Sequence, residues 1–196
     1  MPRETFKGRI LVIQTEDEAL KALEYLNSYP LVGIDSETRP SFVKGQSHKV
    51  ALLQISTEDT CFLFRLNMIG LIEPIIRFLE NPGIKKVGLS LHDDFAALHK
   101  RAPFTQQSCI DIQSYIEPFG IKDKSLQKIY AILFRRKISK SQRLSNWEAD
   151  VLSDAQKMYA ATDAWACYNI YMLLQDLQRT GNYKLEEVVE TVEEQS

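Results

Sequence analysis

The order of apolar segments constrains the fold more than any other feature of this sequence. Three apolar, β-branched stretches, "LVGIDSE", "KVALLQIST" and "TCFLFRL", follow one another with no helical pattern between them. Such runs are typical of neighbouring strands in a meander. Farther along, helical and strand patterns alternate. Strands that first follow one another and later alternate with helices predict an α/β fold, a mixed β-sheet flanked by helices.

Capping patterns mark where helices begin and end. After a first strand at "RILVIQ", the segment "TEDEALKALEYLNSY" predicts a helix opened by a capping box between Thr15 and Glu18. A second box, Ser153 with Gln156, predicts a last helix that runs to about Thr180, before Gly181. The other predicted elements are helices at "GLIEPIIRFLENPG", "HDDFAALHKRA" and "SLQKIYAILF" and strands at "IKKVGLSL" and "SCIDIQSYI".

The bulk composition is that of a globular protein. The 196 residues are 44% hydrophobic, with a mean hydropathy of -0.23, and we find no linker or internal repeat, so we expect one domain over residues 1–196. The acidic end, about residues 184–196, is expected to be loose. No apolar run reaches the roughly 18 residues of a membrane helix, and "MPRETFKGRI" does not resemble a signal segment. We therefore expect a cytoplasmic protein with no membrane contact.

The cysteines exclude two kinds of stabilising site. Cys61, Cys109 and Cys167 are odd in number, far apart and never in a CxxC pair. Neither a disulfide framework nor a structural zinc site is indicated by that pattern. We expect buried, reduced thiols.

Two carboxylates follow a predicted buried strand. Asp35 and Glu37 are two residues apart at the end of "LVGIDSE", and side chains at that spacing point to the same side of a strand. Asp94 opens a helix shortly after another strand, where an acid can also simply favour the positive helix end. Asp93 and His92 compete with Asp94 for any functional role. Each acid alone has an ordinary structural interpretation as a turn or capping residue.

A tyrosine and an aspartate share one face of the last helix. Tyr159 and Asp163 are four residues apart, with the small residues Ala160, Ala161 and Ala164 beside them, so the two side chains lie one above the other. Taken alone, the pair could be a core-edge aromatic and a solvated acid. Together with the other acids it suggests a cluster of oxygen ligands, as Mg²⁺ or Mn²⁺ requires. Such a buried cluster would be strongly unfavourable without cations.

These residues resemble a known family. Asp35 with Glu37, Asp94 in "KKVGLSLHDDFAAL", and Tyr159 with Asp163 in "YAATDA" are similar, in order and spacing, to the three motifs of the DEDD 3′-5′ exonuclease superfamily, tyrosine branch. The segment "KSQRLSNWEADVLSDAQKMYAATDA" also resembles the family, and the similarity covers about residues 9–178. The histidine branch has histidine where this sequence has Met158.

The resemblance implies a ribonuclease H-like fold and a two-metal mechanism with Mg²⁺ or Mn²⁺. The enzyme would cleave phosphodiester bonds at single-stranded 3′ ends or overhangs of DNA or RNA and release nucleoside 5′-monophosphates. Asp35 would bridge both metals, Glu37 and Asp163 would complete the site that activates water, and Asp94 would support the second metal. Tyr159, a phenol with an ordinary pKa of about 10, would orient the attacking water.

A basic segment provides candidate contacts to nucleic acid. The net charge of -2 and the pI of about 6.0 argue against binding through global positive charge. Locally, however, "FRRKISKSQR" carries five basic residues and no acid. Lys140, Arg143 and Arg136 are the candidates to hold phosphates, although a solvated loop is the alternative. Phe42 could stack on a terminal base or anchor its own loop.

The sequence departs from some family members at one position and is also compatible with two other functions. Thr38 follows the first motif where some relatives carry a bulky aromatic, so contacts to the terminal nucleotide could differ. One rival is a catalytically idle nucleic-acid-binding protein with the same fold, although all five chemical positions are filled. Another is a metal-dependent hydrolase of small phosphate esters, which leaves the basic segment unexplained.

Overall fold

A single mixed sheet forms the centre of the computed structural model, which describes residues 1–185. Residues 186–196, which hold most of the expected loose tail, lie outside the described part. The strands are β1 (Arg9–Ile13), β2 (Leu31–Glu37), β3 (Leu52–Ser56), β4 (Thr60–Arg65), β5 (Lys85–Gly88) and β6 (Cys109–Asp111). Their order in the sheet is β1-β4-β3-β2-β5-β6. The pairs β2/β3 and β3/β4 are antiparallel and the others are parallel, which confirms the predicted mixed sheet.

Seven α-helices accompany the sheet in residues 1–185. They are α1 (Glu16–Leu26), α2 (Leu66–Ile69), α3 (Glu73–Glu80), α4 (Leu91–His99), α5 (Ile112–Tyr115), α6 (Leu126–Phe134) and α7 (Asp154–Thr180). The last helix has both bonds of the predicted capping box at Ser153 and ends before Gly181, whose φ is 65°. Among the described residues, no helix is long and apolar enough to cross a membrane.

The helices cover the two faces of the sheet. Side chains alternate along each strand, so Leu53 and Ile55 of β3 pack in the cluster formed with α1, α3 and α4. Leu52, on the opposite face of the same strand, packs with Ala160 and Ala161 of α7. Helices α5 and α6 pack beside α7 in a third cluster. The observed fold is therefore the ribonuclease H-like arrangement that the resemblance implied.

Helix α7 lies unusually close to strand β2. A Cβ atom placed on Gly33 would lie 2.0 Å from the carbonyl oxygen of Ala164, and the α7 residues Ala160, Ala161 and Ala164 are fully buried. Only a glycine in the strand and small residues in the helix permit this approach. The contact places the first half of α7 against strand β2, which carries two of the acids.

Three local predictions need correction. The segment "SCIDIQSYI" is a strand for only three residues, because the Asp111 side chain accepts a hydrogen bond from the Gln113 backbone N–H and starts α5. At α1, Thr15 caps the Glu18 N–H as predicted, but the Glu18 carboxylate accepts its return bond from the Gln14 N–H, one residue early. Cys61 and Cys167 are buried free thiols, whereas Cys109 is partly exposed.

Candidate active site

Three of the four predicted acids meet between the sheet and α7. One carboxylate oxygen each from Asp35, Glu37 and Asp163 lies within 4.8 Å of the other two. Asp35 and Glu37 are on β2, and Asp163 is on the helix face packed against that strand. The close Gly33 contact brings the two elements together, so residues that are far apart in sequence supply one cluster of oxygen atoms.

Asp94 reaches the cluster through the serine between the first two acids. The hydroxyl of Ser36 donates a hydrogen bond to Asp94 Oδ1. The neighbouring Asp93 is exposed and instead accepts a hydrogen bond from Ser90 Oγ at 3.0 Å, and His92 is exposed as well. Of the three candidates in this stretch, the structure therefore directs Asp94 to the other acids.

Glu37 is held in place by a buried glutamine, which was not among the residues predicted from the sequence. The amide nitrogen of Gln54, on β3, donates to Glu37 Oε1 at 3.2 Å and to the Ala160 carbonyl at 3.3 Å. Gln54 is fully buried. A polar residue within the apolar run "VALLQIS" was the available signal, because buried polar groups need partners. The amide links β3, the acid on β2 and helix α7.

Burial makes the acidic cluster electrostatically unfavourable without cations. Desolvation, followed by repulsion from the neighbouring carboxylates, raises the pKa of Asp35 and Glu37 well above the ordinary values. Desolvation also raises the pKa of Asp94 and of Asp163 to about 7. Each group resists ionisation because its charged form is poorly solvated, and Asp35, Glu37 and Asp94 also have anionic neighbours.

The donor set fits a divalent metal ion. Within the described chain, Asp163 Oδ1 is buried and has no hydrogen-bond partner, which is costly unless a cation is bound. The clustered donors are all carboxylate oxygens, which hard cations such as Mg²⁺ and Mn²⁺ prefer. The orphan oxygen and the common ligand type both indicate a metal-binding site.

Tyr159 lies beside the cluster and keeps its proton. Its ring packs against the buried Trp147, with the ring centroids 6.0 Å apart. Desolvation, then the negative charges of Asp163, Glu37 and Asp35, raise the pKa of the phenol above its ordinary value. The group is therefore a neutral hydrogen-bonding phenol at the edge of the carboxylates.

A cavity of about 280 Å³ opens above the acids. Lys140 and Arg143 line it together with Asp35, Glu37 and Tyr159. These two members of the basic segment therefore lie at the acidic site. Residues 125–127, at the start of α6, also line it.

The other two predicted nucleic-acid contacts lie outside that cavity. Arg136 Nε is 3.7 Å from Glu4 Oε2, and the arginine does not line the cavity. Phe42 is 84% exposed in the loop after β2, which leaves its ring free of the core.

Hydrogen bonds from buried side chains hold the segment that carries Lys140 and Arg143. Trp147 is fully buried, as expected for a core anchor, and its indole N–H donates to the Arg143 carbonyl at 3.4 Å. The Gln156 amide donates to the Asn146 carbonyl at 3.0 Å. Arg65, at the end of β4, donates to the Asp150 carbonyl at 2.8 Å. Arg65 was not anticipated from the sequence, because its partner is far along the chain.

Comparisons with known sequences agree with this geometry. The sequence model of a 3′-5′ exonuclease family matches residues 10–178. A 3′-5′ exonuclease of Arabidopsis thaliana is 30% identical over 90% of this chain and 67% of its own length. The mouse bifunctional 3′-5′ exonuclease/ATP-dependent helicase WRN is 29% identical over 80% of this chain, which corresponds to 12% of that protein. Ribonuclease D of Gluconacetobacter diazotrophicus is 28% identical over 90% of this chain and 45% of that enzyme.

Solved structures share the fold. The Nibbler EXO domain of Aedes aegypti superposes with a TM-score of 0.82 at 19% identity and covers 92% of this chain and 95% of that one. Escherichia coli RNase D superposes with a TM-score of 0.76 at 20% identity and covers 92% of this chain and 46% of that one. With the family match spanning nearly the whole described core, the chain belongs to the 3′-5′ exonuclease family.

Proposed function

We propose that this exonuclease uses two divalent cations, Mg²⁺ or Mn²⁺, to shorten single-stranded 3′ ends or overhangs of DNA or RNA and to release nucleoside 5′-monophosphates. The observation that carries the proposal is the carboxylate cluster of Asp35, Glu37 and Asp163 within 4.8 Å, with one buried oxygen left unpartnered. Basic residues line the same cavity, as a polyanionic substrate requires.

Each acid has a distinct role in this proposal. Asp35, Glu37 and Asp163 would hold one cation, and Asp35 with Asp94 would hold the other. Bound cations would lower the cost of generating the nucleophile and offset negative charge on the leaving 3′ oxygen. Ser36 fixes Asp94 by a hydrogen bond, and Gln54 fixes Glu37, so the ligands are oriented before substrate arrives.

Tyr159 orients the attacking water in this proposal. Its phenol keeps a proton because burial and the neighbouring carboxylates raise its pKa, so it cannot be a strong base at neutral pH. In this proposal it holds the attacking water by a hydrogen bond, in line with the scissile phosphorus. Packing against Trp147 limits the positions that the ring can adopt.

Lys140 and Arg143 hold the terminal phosphates. Both line the cavity at the acidic site, where positive charge compensates the substrate phosphates without reading base sequence. Phe42 remains a candidate to stack on the terminal base. Arg136 is outside this pair of contacts, because it does not line the cavity and lies 3.7 Å from Glu4.

A strand-shortening assay tests the proposal. Strands of DNA and RNA labelled at the 5′ end, with free or blocked 3′ ends, are incubated with the protein and Mg²⁺ or Mn²⁺. We expect products shorter by one nucleotide at a time and nucleoside 5′-monophosphates, with a free 3′ end required. Asp35→Ala should abolish shortening. Shortening that persists in Asp35→Ala, or past a 3′ block, would refute the proposal, and binding without shortening would support the idle alternative.

A further inference from the structure

A larger groove adjoins the active-site cavity. It has a volume of about 620 Å³ and shares two lining residues, Gln127 and Lys140, with the cavity above the acids. Its walls are the N-terminal segment from Met1 to Thr5, the α6 residues from Gln127 to Ala131, and residues 137–140. The active site therefore opens laterally into a second space along the surface of α6.

Hydrogen bonds preform the N-terminal wall of this groove. The Lys137 N–H donates to the Pro2 carbonyl and the Glu4 N–H donates to the Lys137 carbonyl, both at 2.9 Å. One step farther, the Phe6 N–H donates to Thr162 Oγ1 at 3.0 Å, and the Phe6 ring is buried against Trp165. The segment is tied both to the basic loop and to α7, so the groove needs no ordering before it is used.

The groove is positively charged although the chain is not. Arg3, Lys128, Lys137 and Lys140 line it, and Glu4 is the single acid among the lining residues that the structure describes. Arg136 pairs with that acid at 3.7 Å from outside the lining. Lys128 also lies 3.9 Å from Asp123, but both side chains are largely exposed, so this pair is weak and screened. The net charge of the whole protein is -2.

We infer that this groove holds the nucleotides on the 5′ side of the scissile bond of a single strand. The inference rests on the proposed function, because it needs the 3′ end at the acidic cluster. From there, Lys140 lies at the shared edge and the other basic residues continue along the groove. Ala131 and the exposed Met1 provide apolar surface beside them. Apolar surface suits bases and a basic rim suits phosphates, in a sequence-independent manner.

Arg136 has an indirect role in this arrangement. It neutralises Glu4, which would otherwise place a negative charge on the path of the phosphates. A direct phosphate contact and this indirect role make different predictions. If Arg136 acts through Glu4, removal of the Glu4 charge should restore the strand affinity that is lost when Arg136 is removed.

Binding to strands of different length tests the groove. Fluorescence anisotropy is measured with labelled oligonucleotides of two and of ten nucleotides, in an Asp35→Asn background that prevents hydrolysis. We expect the ten-nucleotide strand to bind at least tenfold tighter than the two-nucleotide strand. Lys128→Ala combined with Lys137→Ala should remove most of that difference in affinity. The same double variant should reduce the slope of log K against log salt concentration by about 1.4, as expected for the loss of two phosphate contacts to a single strand.

Matched controls separate this effect from general charge loss and from misfolding. Lys21→Ala with Lys100→Ala removes two exposed lysines from the α1 and α4 side of the sheet and should leave the length dependence and salt slope intact. Thermal melting of each variant checks folding. An equal length dependence in the groove variant and the control variant would overturn the inference.

Removal of the Arg136 charge, alone and together with the Glu4 charge, tests the part played by Arg136. Arg136→Ala should weaken binding of the ten-nucleotide strand about three- to tenfold, and Arg136→Ala with Glu4→Gln should return it to near the starting affinity. Loss without recovery would overturn the indirect role. These binding measurements do not depend on turnover, so failure of the exonuclease assay and failure of the groove are separate outcomes.

Discussion

Asp111 Oδ2 accepts a hydrogen bond from the Leu91 backbone N–H at 2.9 Å. The other oxygen, Oδ1, accepts from the Ser90 N–H at 3.1 Å, where Ser90 has the left-handed φ of 57°. The end of β6 thereby holds the turn that leads from β5 into α4 and that sets the position of Asp94. The Asp111 carboxylate therefore controls the placement of a proposed metal ligand.

We predict that Asp111→Ala destabilises the fold and impairs turnover. Loss of the carboxylate leaves partly buried backbone N–H groups without their acceptor, which costs about 1–3 kcal/mol of unfolding free energy. Because Asp94 shifts with its helix, kcat should fall more than KM rises. Urea denaturation and steady-state kinetics measure both effects. Asp111→Asn should recover part of each, since its amide oxygen can still accept. Unchanged kcat in a destabilised Asp111→Ala would contradict the positioning role.

The contact between Gly33 and Ala164 makes a second prediction. An added methyl in Gly33→Ala would lie 2.0 Å from a backbone oxygen, so β2 and α7 must separate. We expect a loss of about 1–3 kcal/mol in unfolding free energy or more, with a lower kcat as Asp163 moves from Asp35. Gly83→Ala is the control, because its Cβ meets only the end of the Asn81 side chain at 3.2 Å. Similar melting temperatures for the two variants would contradict the prediction.

Adjacent aspartates provide a matched pair for the metal site. Asp94→Asn should lower kcat/KM by roughly 100-fold or more, as is typical when one preorganised charge-stabilising group is lost. Asp93→Asn should have little effect, because that exposed side chain faces Ser90 instead of the cluster. Single-turnover rates in Mg²⁺ and Mn²⁺ give the comparison. Equal losses in the two variants would rule out the assignment of Asp94.

The raised pKa values predict a pH-dependent response to metal. The pKa of Asp94 and of Asp163 is about 7 in the folded chain, against a model-peptide value of 3.8. The metal-free folded state therefore binds more protons than the unfolded state between about pH 4 and pH 7, and its stability should fall as pH rises through that window. Thermal melting in EDTA should show this decline. Because cations favour the ionised carboxylates, Mg²⁺ or Mn²⁺ should raise the melting temperature more at about pH 8 than at about pH 5.

An equal metal-induced shift at both pH values would contradict the electrostatic account. Asp35→Asn is the internal control, since one fewer carboxylate relieves repulsion in the cluster. Its metal-free form should lose less stability on raising the pH, and its response to metal should be smaller.

The sequence predicts the parts of the fold that depend on local patterns. Period-two and helical patterns identify the main strands and helices, and the spacing of Tyr159 and Asp163 is a property of a single helix. Interactions between distant residues are harder to predict. Arg65 bonds the loop at Asp150, and Asp111 bonds the turn at Leu91. In each pair, the two residues are far apart in sequence and meet only in the tertiary fold. No local pattern contains that information.

Two residues are of a type that is unusual in a buried strand, which indicates a special role that the alternation of apolar residues does not reveal. Gln54 is a polar side chain in an apolar strand, and Gly33 is a glycine inside another strand. Each departs from strand propensity, and such departures indicate a required hydrogen bond or a close backbone approach. In both cases, the requirement is the contact with α7 that positions the acids.

The packing of Trp147 against Tyr159 gives the protein an intrinsic optical probe. The chain has two tryptophans: Trp147 lies beside the Tyr159 phenol, whereas Trp165 lies behind Phe6 and the N-terminal wall of the groove. Replacement of one by phenylalanine leaves an emission spectrum that reports on the surroundings of the other. Occupancy of the carboxylate cluster and occupancy of the groove can therefore be followed separately, in the unlabelled chain, by intrinsic fluorescence.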